Sequence, residues 1–273
     1  MTINCKGYLI DVSSPKVMGI LNLTPDSFYD GGTYTNERSI VNRVEKMLLE
    51  GATFIDVGGY SSRPGADHVS STEEEQRIVP IVKVLMKEFP NILLSIDTFR
   101  SKIASICLKE GAAIINDISA GQQDEKMFKV VSEHNAPMVM MHMRGMPQTM
   151  QHKTNYNNLL IDIMQYFSER LSAARLHNIS DLIIDPGFGF SKTIDQNYEL
   201  LGKTELLKSF ELPILIGLSR KSMIYKTLGS SAQEALNGTT ALHMVALQKG
   251  GNIFRVHDVK EAMECIRLQA HLM

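Results

Sequence analysis

Polar and charged side chains follow short apolar runs at many points along this sequence, and their types suit a binding site for an anion. They are Asn22, Arg63, Asp97, Asn116, Asp117, His142, Asp185, Ser219, Lys221, Arg255 and His257. Arginine binds phosphate oxygens bidentately, and carboxylates and amides pair well with a heterocycle that carries several donors. Because a buried charge without a partner is costly, the set as a whole predicts a polar, anionic ligand with a flat hydrogen-bonding part.

Individual members of this set also have purely structural interpretations. Asn22 could form part of a turn, and Asp97 and Asp117 could be helix N-caps. His142 lies among methionines, so we interpret it as a packed histidine within an adaptable core. Arg220 could face the ligand or pair with a carboxylate elsewhere.

Three glycine-rich segments also follow apolar runs, at residues 30–32, 63–65 and 187–190. Loops of this kind can close over a ligand. None of them matches the Walker phosphate loop, and none supplies the dinucleotide fingerprint between a strand and a helix. The sequence therefore gives no support for ATP or NAD as a ligand.

Eight short runs rich in Val and Ile alternate with longer amphipathic stretches along the chain. The runs are residues 17–23, 54–57, 93–96, 113–115, 138–141, 182–184, 214–216 and 253–256, and helical stretches include 102–110, 125–134, 159–177, 197–210, 233–249 and 259–272. This alternation predicts a parallel sheet, either a closed barrel or an open doubly wound sheet. We expect one (β/α)8 TIM barrel spanning residues 1–273, because about 250 residues is typical of that fold.

A barrel would bring the polar side chains together, because the carboxyl ends of its strands meet at one rim. The second helix carries Ile78, Val82 and Leu85 at helical spacing. Thr72 and Glu75 have the spacing of a capping box at its start.

The composition excludes several classes of protein. The 273 residues carry 28 Lys and Arg against 30 Asp and Glu, a net charge of −2, which argues against a dedicated nucleic-acid or anionic-membrane binder. No apolar run approaches the roughly 20 residues of a membrane span. The three cysteines are far apart and form no zinc motif, which favours a reducing compartment and a cytoplasmic protein.

Two segments are specific enough to indicate a family. The segments MGILNLTPDSF at 18–28 and IDVGGYSSRPG at 55–65 resemble the signatures of the dihydropteroate synthase family. The resemblance continues in order through residues 95–98, 115–117, 141–143, 185–190, 219–222 and 255–257. Two positions depart from the family pattern: Ser62 replaces the usual Thr, and Tyr60 replaces a frequent Glu. These departures bear on the affinity for the second substrate and for sulfonamides that imitate it.

The resemblance implies a TIM-barrel transferase of folate biosynthesis that condenses 6-hydroxymethyl-7,8-dihydropterin pyrophosphate with 4-aminobenzoate. It implies catalytic roles for Asp97, Lys221 and Arg63. The implied substrate-binding residues are Ser62, Arg63, Asp97, Asn116, Asp185, Phe190, Ser219, Lys221, Arg255 and His257. It further implies Mg²⁺ held by Asn22, and a homodimer packed through residues 233–249 and 259–272.

Two other functions remain open from the sequence. Methyltetrahydrofolate-dependent methyltransferases resemble this family at the pterin-facing Asp and Asn positions, but residues 61–65 and 219–221 favour a synthase. A non-catalytic pterin-binding barrel would be expected to lose the cations at the rim, whereas Arg63, Lys221 and Arg255 are present.

Overall fold

Eight parallel strands form the central sheet of the computed structural model, which describes residues 1–23, 33–60 and 69–272. The strands are β3 (Lys16–Asn22), β4 (Phe54–Gly58), β5 (Leu94–Asp97), β6 (Ile114–Asp117), β7 (Met138–Met141), β8 (Leu182–Asp185), β9 (Leu215–Ile216) and β10 (Ile253–Val256). Their spatial order is β8-β7-β6-β5-β4-β3-β10-β9. A parallel bridge between Ile184 and Ile214 joins the two ends of that order, so the sheet closes. The predicted barrel is therefore confirmed.

Helices surround the sheet and alternate with its strands as the sequence predicts, except that two helices lie between β9 and β10. They are α1 (Thr33–Leu49), α2 (Ser71–Glu88), α3 (Ser101–Lys109), α4 (Met127–Glu133), α5 (Leu159–Leu176), α6 (Ile194–Gly202), α7 (Ser222–Thr227), α8 (Leu236–Gln248) and α9 (Val259–Ala270). Strand residues such as Val17 and Ile55 pack against helix residues such as Val44 and Ile78 in one large core. None of the helices in the described ranges is long and apolar enough to cross a bilayer.

An N-terminal hairpin that the sequence did not predict covers one end of the barrel. Strands β1 (Thr2–Cys5) and β2 (Tyr8–Asp11) pair antiparallel. Lys6 and Gly7 between them both have positive φ, as a two-residue type I′ turn requires. Ile3 and Cys5 pack on Met18 and Phe54, which lie near the amino ends of β3 and β4. The opposite rim, where the strands end, is left for the polar residues.

Two expected helix boundaries were wrong. The cap of α2 is Ser70, whose side chain accepts from the backbone nitrogen of Glu73 at 3.2 Å, and not Thr72. Both residues are followed by Glu three positions later, so the spacing alone did not distinguish them. The helix predicted over residues 197–210 ends at Gly202, and a 3₁₀ helix, Thr204–Phe210, follows it.

Candidate active site

The register of the barrel places three of the predicted site residues in one row. Asn22 pairs with Gly58, Gly58 with Asp97, and Asp97 with Asn116 across adjacent strands. Each is the last or next-to-last residue of its strand. Neighbouring parallel strands therefore bring an amide, a carboxylate and a second amide to the same level of the rim.

Arg255 on β10 joins two carboxylates of this site. Its Nε donates to Oδ2 of Asp56 at 2.5 Å, and its Nη2 donates to Oδ2 of Asp97 at 2.8 Å. Burial by itself lowers the pKa of Arg255, but Asp56 and Asp97 raise it above the ordinary value. The guanidinium is therefore charged, and two carboxylates share one cation.

Asp56 is the residue of this cluster that the sequence analysis did not single out. Its side chain is fully buried and accepts from Oγ of Ser95 at 2.6 Å and from Nδ2 of Asn116 at 3.2 Å. Its sequence signal is a carboxylate inside an otherwise apolar strand, which needs buried partners. Asp56 thus orients both Asn116 and Arg255.

The environment of Asp97 raises its proton affinity. Burial raises the pKa of Asp97 to about 7, and Arg255 acts in the opposite direction. The backbone N–H of Thr98 donates to Asn116, and α3 begins at Ser101 after Arg100, so Asp97 is not a helix N-cap. Its carboxylate is thus available at the rim for chemistry.

Asp185 and Lys221 form the opposite side of the site. A Cβ built on Gly217 would lie 3.7 Å from Oδ2 of Asp185 and 4.0 Å from Nζ of Lys221, so both groups lie beside Gly217. Burial raises the pKa of Asp185, which Lys221 opposes, and burial lowers the pKa of Lys221 to about 8. Nζ of Lys221 donates to the carbonyl of Phe188 and lies 4.5 Å from the ring centroid of Phe190. A carboxylate, a cation and an aromatic ring thus lie close together in this part of the site.

Two predicted ligands, Ser219 and His257, follow strands β9 and β10 and lie together. Oγ of Ser219 lies 3.1 Å from Nδ1 of His257 and also accepts from the backbone nitrogen of His257 at 3.2 Å. Arg220 does not belong to this group. Its guanidinium binds Asp258 through two hydrogen bonds of 2.7 and 2.8 Å, which settles the alternative that the sequence left open.

Other structural interpretations are also decided. Asp117 is buried and accepts from the backbone N–H groups of Ser119 and Gly121, so it shapes the turn after β6. It is not the N-cap of α4, which is Lys126. His142 is 1% exposed and packs edge-on against Tyr166, which confirms it as a packed histidine.

Several predicted residues lie outside the described ranges. These are Ser62 and Arg63; the two internal segments outside the description are residues 24–32 and 61–68. Tyr60, the last described residue before the second segment, accepts from Nε2 of Gln148 at 2.6 Å. That contact links the segment after β4 to the segment after β7.

The polar side chains described at the rim suit a metal ion that takes most of its ligands from water and substrate. The described residues contain no group of three His, Cys, Asp or Glu side chains that could hold a metal. Asn22 offers one half-buried amide oxygen at the end of β3. Mg²⁺ commonly keeps several waters and takes ligands from substrate phosphates, so Asn22 fits an ion that arrives with a phosphorylated substrate.

Comparison with known proteins identifies the family. The profile of a family described as "Pterin binding enzyme" matches residues 18–257. Dihydropteroate synthase of Escherichia coli (strain K12) is 41% identical over 270 residues, covering 98% of this chain and 95% of that protein. The chain belongs to the dihydropteroate synthase family. Members of this family are transferases, so the chain is an enzyme and the methyltransferase and non-catalytic alternatives are not favoured.

Solved structures agree with this family assignment. The Yersinia pestis dihydropteroate synthase in complex with a sulfonamide drug superposes with a TM-score of 0.93 at 40% identity, covering 100% of this chain and 99% of that one. The Xanthomonas albilineans dihydropteroate synthase with 4-aminobenzoic acid gives a TM-score of 0.92 at 34% identity, covering 99% and 97%. The family fold therefore extends over the whole described chain.

Proposed function

We propose that the protein joins 6-hydroxymethyl-7,8-dihydropterin pyrophosphate to 4-aminobenzoate by a dissociative substitution at the pterin methylene. The carbon–oxygen bond breaks first, and its electron pair leaves with pyrophosphate. The resulting cation is delocalised into the pterin ring. The amine lone pair of 4-aminobenzoate then forms the carbon–nitrogen bond, and the amine proton passes to solvent, giving 7,8-dihydropteroate.

The observation that carries this proposal is the cluster of Asp56, Asp97 and Arg255. Two carboxylates share one guanidinium, so the cluster holds one net negative charge when Asp97 is ionised. Fixed charge in a site closed against water stabilises an opposite charge that develops in the transition state. Asp97, with 14% of its side chain exposed, is the member of the cluster that can face the cation at the pterin methylene.

The second wall of the site suits the pterin ring. Asp185 accepts two hydrogen bonds from the amino-pyrimidine edge, and Asn116 supplies a neighbouring amide. Lys221 donates to the oxo and ring-nitrogen face. The proximity of Asp185 and Lys221 beside Gly217 supports this assignment.

Pyrophosphate would be bound at the ends of β9 and β10. Ser219 and His257 provide a hydroxyl and an imidazole that already lie together. Arg255 commits two of its five N–H donors to Asp56 and Asp97, so three remain for phosphate oxygens. We assign Arg63 to the same group. Asn22 would hold Mg²⁺, which when bound neutralises charge on the leaving pyrophosphate.

The 4-aminobenzoate pocket would use Phe190, Lys221 and Ser222 together with Phe28 and Ser62 of the segments 24–32 and 61–68. The arylamine is neutral near pH 7, so its attack needs no strong base. This pocket is also the proposed site of sulfonamide binding. We expect the residue at position 60, here Tyr60, to affect the affinity of this pocket.

We also propose that residues 1–273 act as one domain, as a cytoplasmic homodimer. The three cysteines are free thiols, as is usual in a reducing compartment. Helices α8 and α9 would form the dimer interface, near which Leu268 and Leu272 are 64% and 69% exposed. Leu268→Glu should then shift the sedimentation coefficient from that of a dimer to that of a monomer. A wild-type protein that sediments as a monomer would overturn the homodimer.

A positional isotope experiment tests the dissociative step. The bridging oxygen between the methylene carbon and phosphorus is labelled with ¹⁸O, and substrate is recovered after partial turnover. Reversible bond cleavage allows the label to reach non-bridging positions of the α-phosphate. We expect this scrambling with Mg²⁺ even without 4-aminobenzoate. Turnover to product without any scrambling in the recovered substrate would contradict the dissociative step.

A further inference from the structure

Lys192 is a buried lysine that the proposed reaction does not use. Only 8% of the residue is exposed. Its Nζ lies 3.0 Å from each of three acceptors: Nδ1 of His142, the carbonyl of Gly187 and the carbonyl of Phe190. A lysine ammonium has three donors. The described residues thus match every donor of Lys192, and two of the acceptors belong to one loop.

The ring of His142 is held beside Nζ of Lys192 by its packing. Its ring packs edge-on against Tyr166 at 4.8 Å between centroids, and its backbone nitrogen donates to the carbonyl of Asp185 at 2.9 Å. Burial, together with the nearby charges of Lys192 and Arg144, lowers the pKa of His142 well below its ordinary value. A neutral ring with its proton on Nε2 leaves Nδ1 to accept, which is the tautomer that the contact with Lys192 requires.

The contacts of Lys192 lead directly to the pterin side of the site. Gly187 accepts from Lys192 through its carbonyl and donates through its N–H to Oδ1 of Asp185 at 2.7 Å. Phe190 accepts from Lys192 through its carbonyl, and its ring lies against Nζ of Lys221. The same side-chain nitrogen therefore holds the residue that orients the Asp185 carboxylate and the residue that covers Lys221.

We infer that Lys192 and His142 are positioning residues for recognition of the pterin ring, acting through Gly187 and Asp185. This inference rests on the proposed function, because it concerns the binding of the same amino-pyrimidine edge. Among the described residues, Lys192 contacts none of the groups assigned to the pyrophosphate. Its removal should therefore weaken binding of the pterin ring selectively.

Calorimetry with 6-hydroxymethylpterin, which lacks the pyrophosphate, isolates this effect. Lys192→Met keeps the length of the side chain and removes its donors. We expect it to weaken pterin binding at least tenfold while inhibition by inorganic pyrophosphate changes less than twofold. The matched control is Lys203→Met at the exposed end of α6, where Lys203 pairs only with Glu199 among the described residues. Unchanged pterin affinity in Lys192→Met, or equal losses for both ligands, would overturn the inference.

Two variants of His142 provide a second test if Lys192→Met does not fold. His142→Asn can place an amide oxygen near the position of Nδ1, whereas His142→Leu offers no acceptor but fills more of the space. We expect pterin affinity in the Asn variant within threefold of wild type and a loss of at least tenfold in the Leu variant. Equal affinity in the two variants would show that packing alone matters and overturn the inference.

A double-mutant cycle tests whether Lys192 acts through Asp185. In an Asp185→Asn background, Lys192→Met should weaken pterin binding by less than a third of its factor in wild type. Full additivity would overturn the route through Asp185. A wild-type protein that does not bind the pterin would instead overturn the proposed function, and this inference with it.

Discussion

Arg255 and Asp97 are 158 positions apart in sequence, yet Nη2 of the arginine lies 2.8 Å from Oδ2 of the aspartate. The contact spans strands β10 and β5 across the inside of the barrel. The contact favours the charged form of Asp97 against the effect of burial, and a second carboxylate, Asp56, binds the same guanidinium. The geometry separates the roles of the two aspartates, because Asp56 is fully buried and Asp97 is partly open.

Replacing Asp97 with Asn should slow the loss of pyrophosphate more than it weakens pterin binding. The amide keeps the size and loses the negative charge, so we expect kcat to fall about 100-fold, the usual order for losing one electrostatic contact to the transition state. Rapid-quench measurement of pyrophosphate formation gives the rate, and calorimetry gives the affinity for the substrate, so the two effects are measured separately. Asp195→Asn, at an exposed position in the first turn of α6, is the matched control. Equal losses in rate and affinity would remove the special role of Asp97.

The rate should depend on the ionisation of Asp97. Its pKa is raised to about 7 by burial, so the carboxylate is mostly protonated below pH 7 and charged above it. If the anion is the active form, kcat/KM falls as the pH drops through about 7. The phosphates of the substrate titrate near pH 6 as well, so the comparison with Asp97→Asn is decisive. The limb near pH 7 should disappear in that variant, and its persistence would assign it to another group.

Lys221→Ala should weaken binding of the pterin pyrophosphate. Losing a charged hydrogen bond of about 1.5–3 kcal/mol corresponds to roughly a 10- to 100-fold rise in Kd. Because burial lowers the pKa of Lys221 to about 8, wild-type affinity should also decline above that pH, whereas the variant should show no such decline. Lys226→Ala, on the exposed side of α7, serves as the control. Unchanged affinity in Lys221→Ala would refute its placement against the pterin.

Gly187 should be far less tolerant of a side chain than Gly229, although both have positive φ, of 69° and 63°. A Cβ at Gly187 would lie 2.1 Å from the carbonyl oxygen of His142, while one at Gly229 meets nothing within 4 Å. Gly229→Ala should therefore lower the free energy of unfolding by only about 1–2 kcal/mol, the cost of holding a residue with a Cβ at positive φ. Urea titrations should show a clearly larger loss for Gly187→Ala, and equal losses would mean that the clash relaxes without cost.

Residues that follow a periodic pattern were predictable, and residues defined by distant partners were not. Asp97, Asn116 and Asp185 each end an apolar run, so the sequence placed them on the rim before the register was known. The partner of Arg255 was not predictable in this way, because Asp56 lies 199 positions away and inside a strand. The sequence analysis therefore placed Arg255 among the substrate-binding residues without its two carboxylate partners.

Lys192 and the N-terminal hairpin escaped prediction for different reasons. Lys192 follows a glycine-rich segment without any spacing rule that marks it as buried, and only the folded loop surrounds it with acceptors. Strands β1 and β2 are four residues each, which is too short for alternation to stand out. In both cases the tertiary structure supplied the contacts that local patterns do not encode.

The most direct test of the central claim is pyrophosphate release from the purified protein with Mg²⁺ and the dihydropterin pyrophosphate. The assay is run with and without 4-aminobenzoate while 7,8-dihydropteroate is measured in the same samples. We expect dihydropteroate to appear only with 4-aminobenzoate, in an amount equal to the additional pyrophosphate released. Pterin binding by calorimetry without any formation of dihydropteroate would contradict the account.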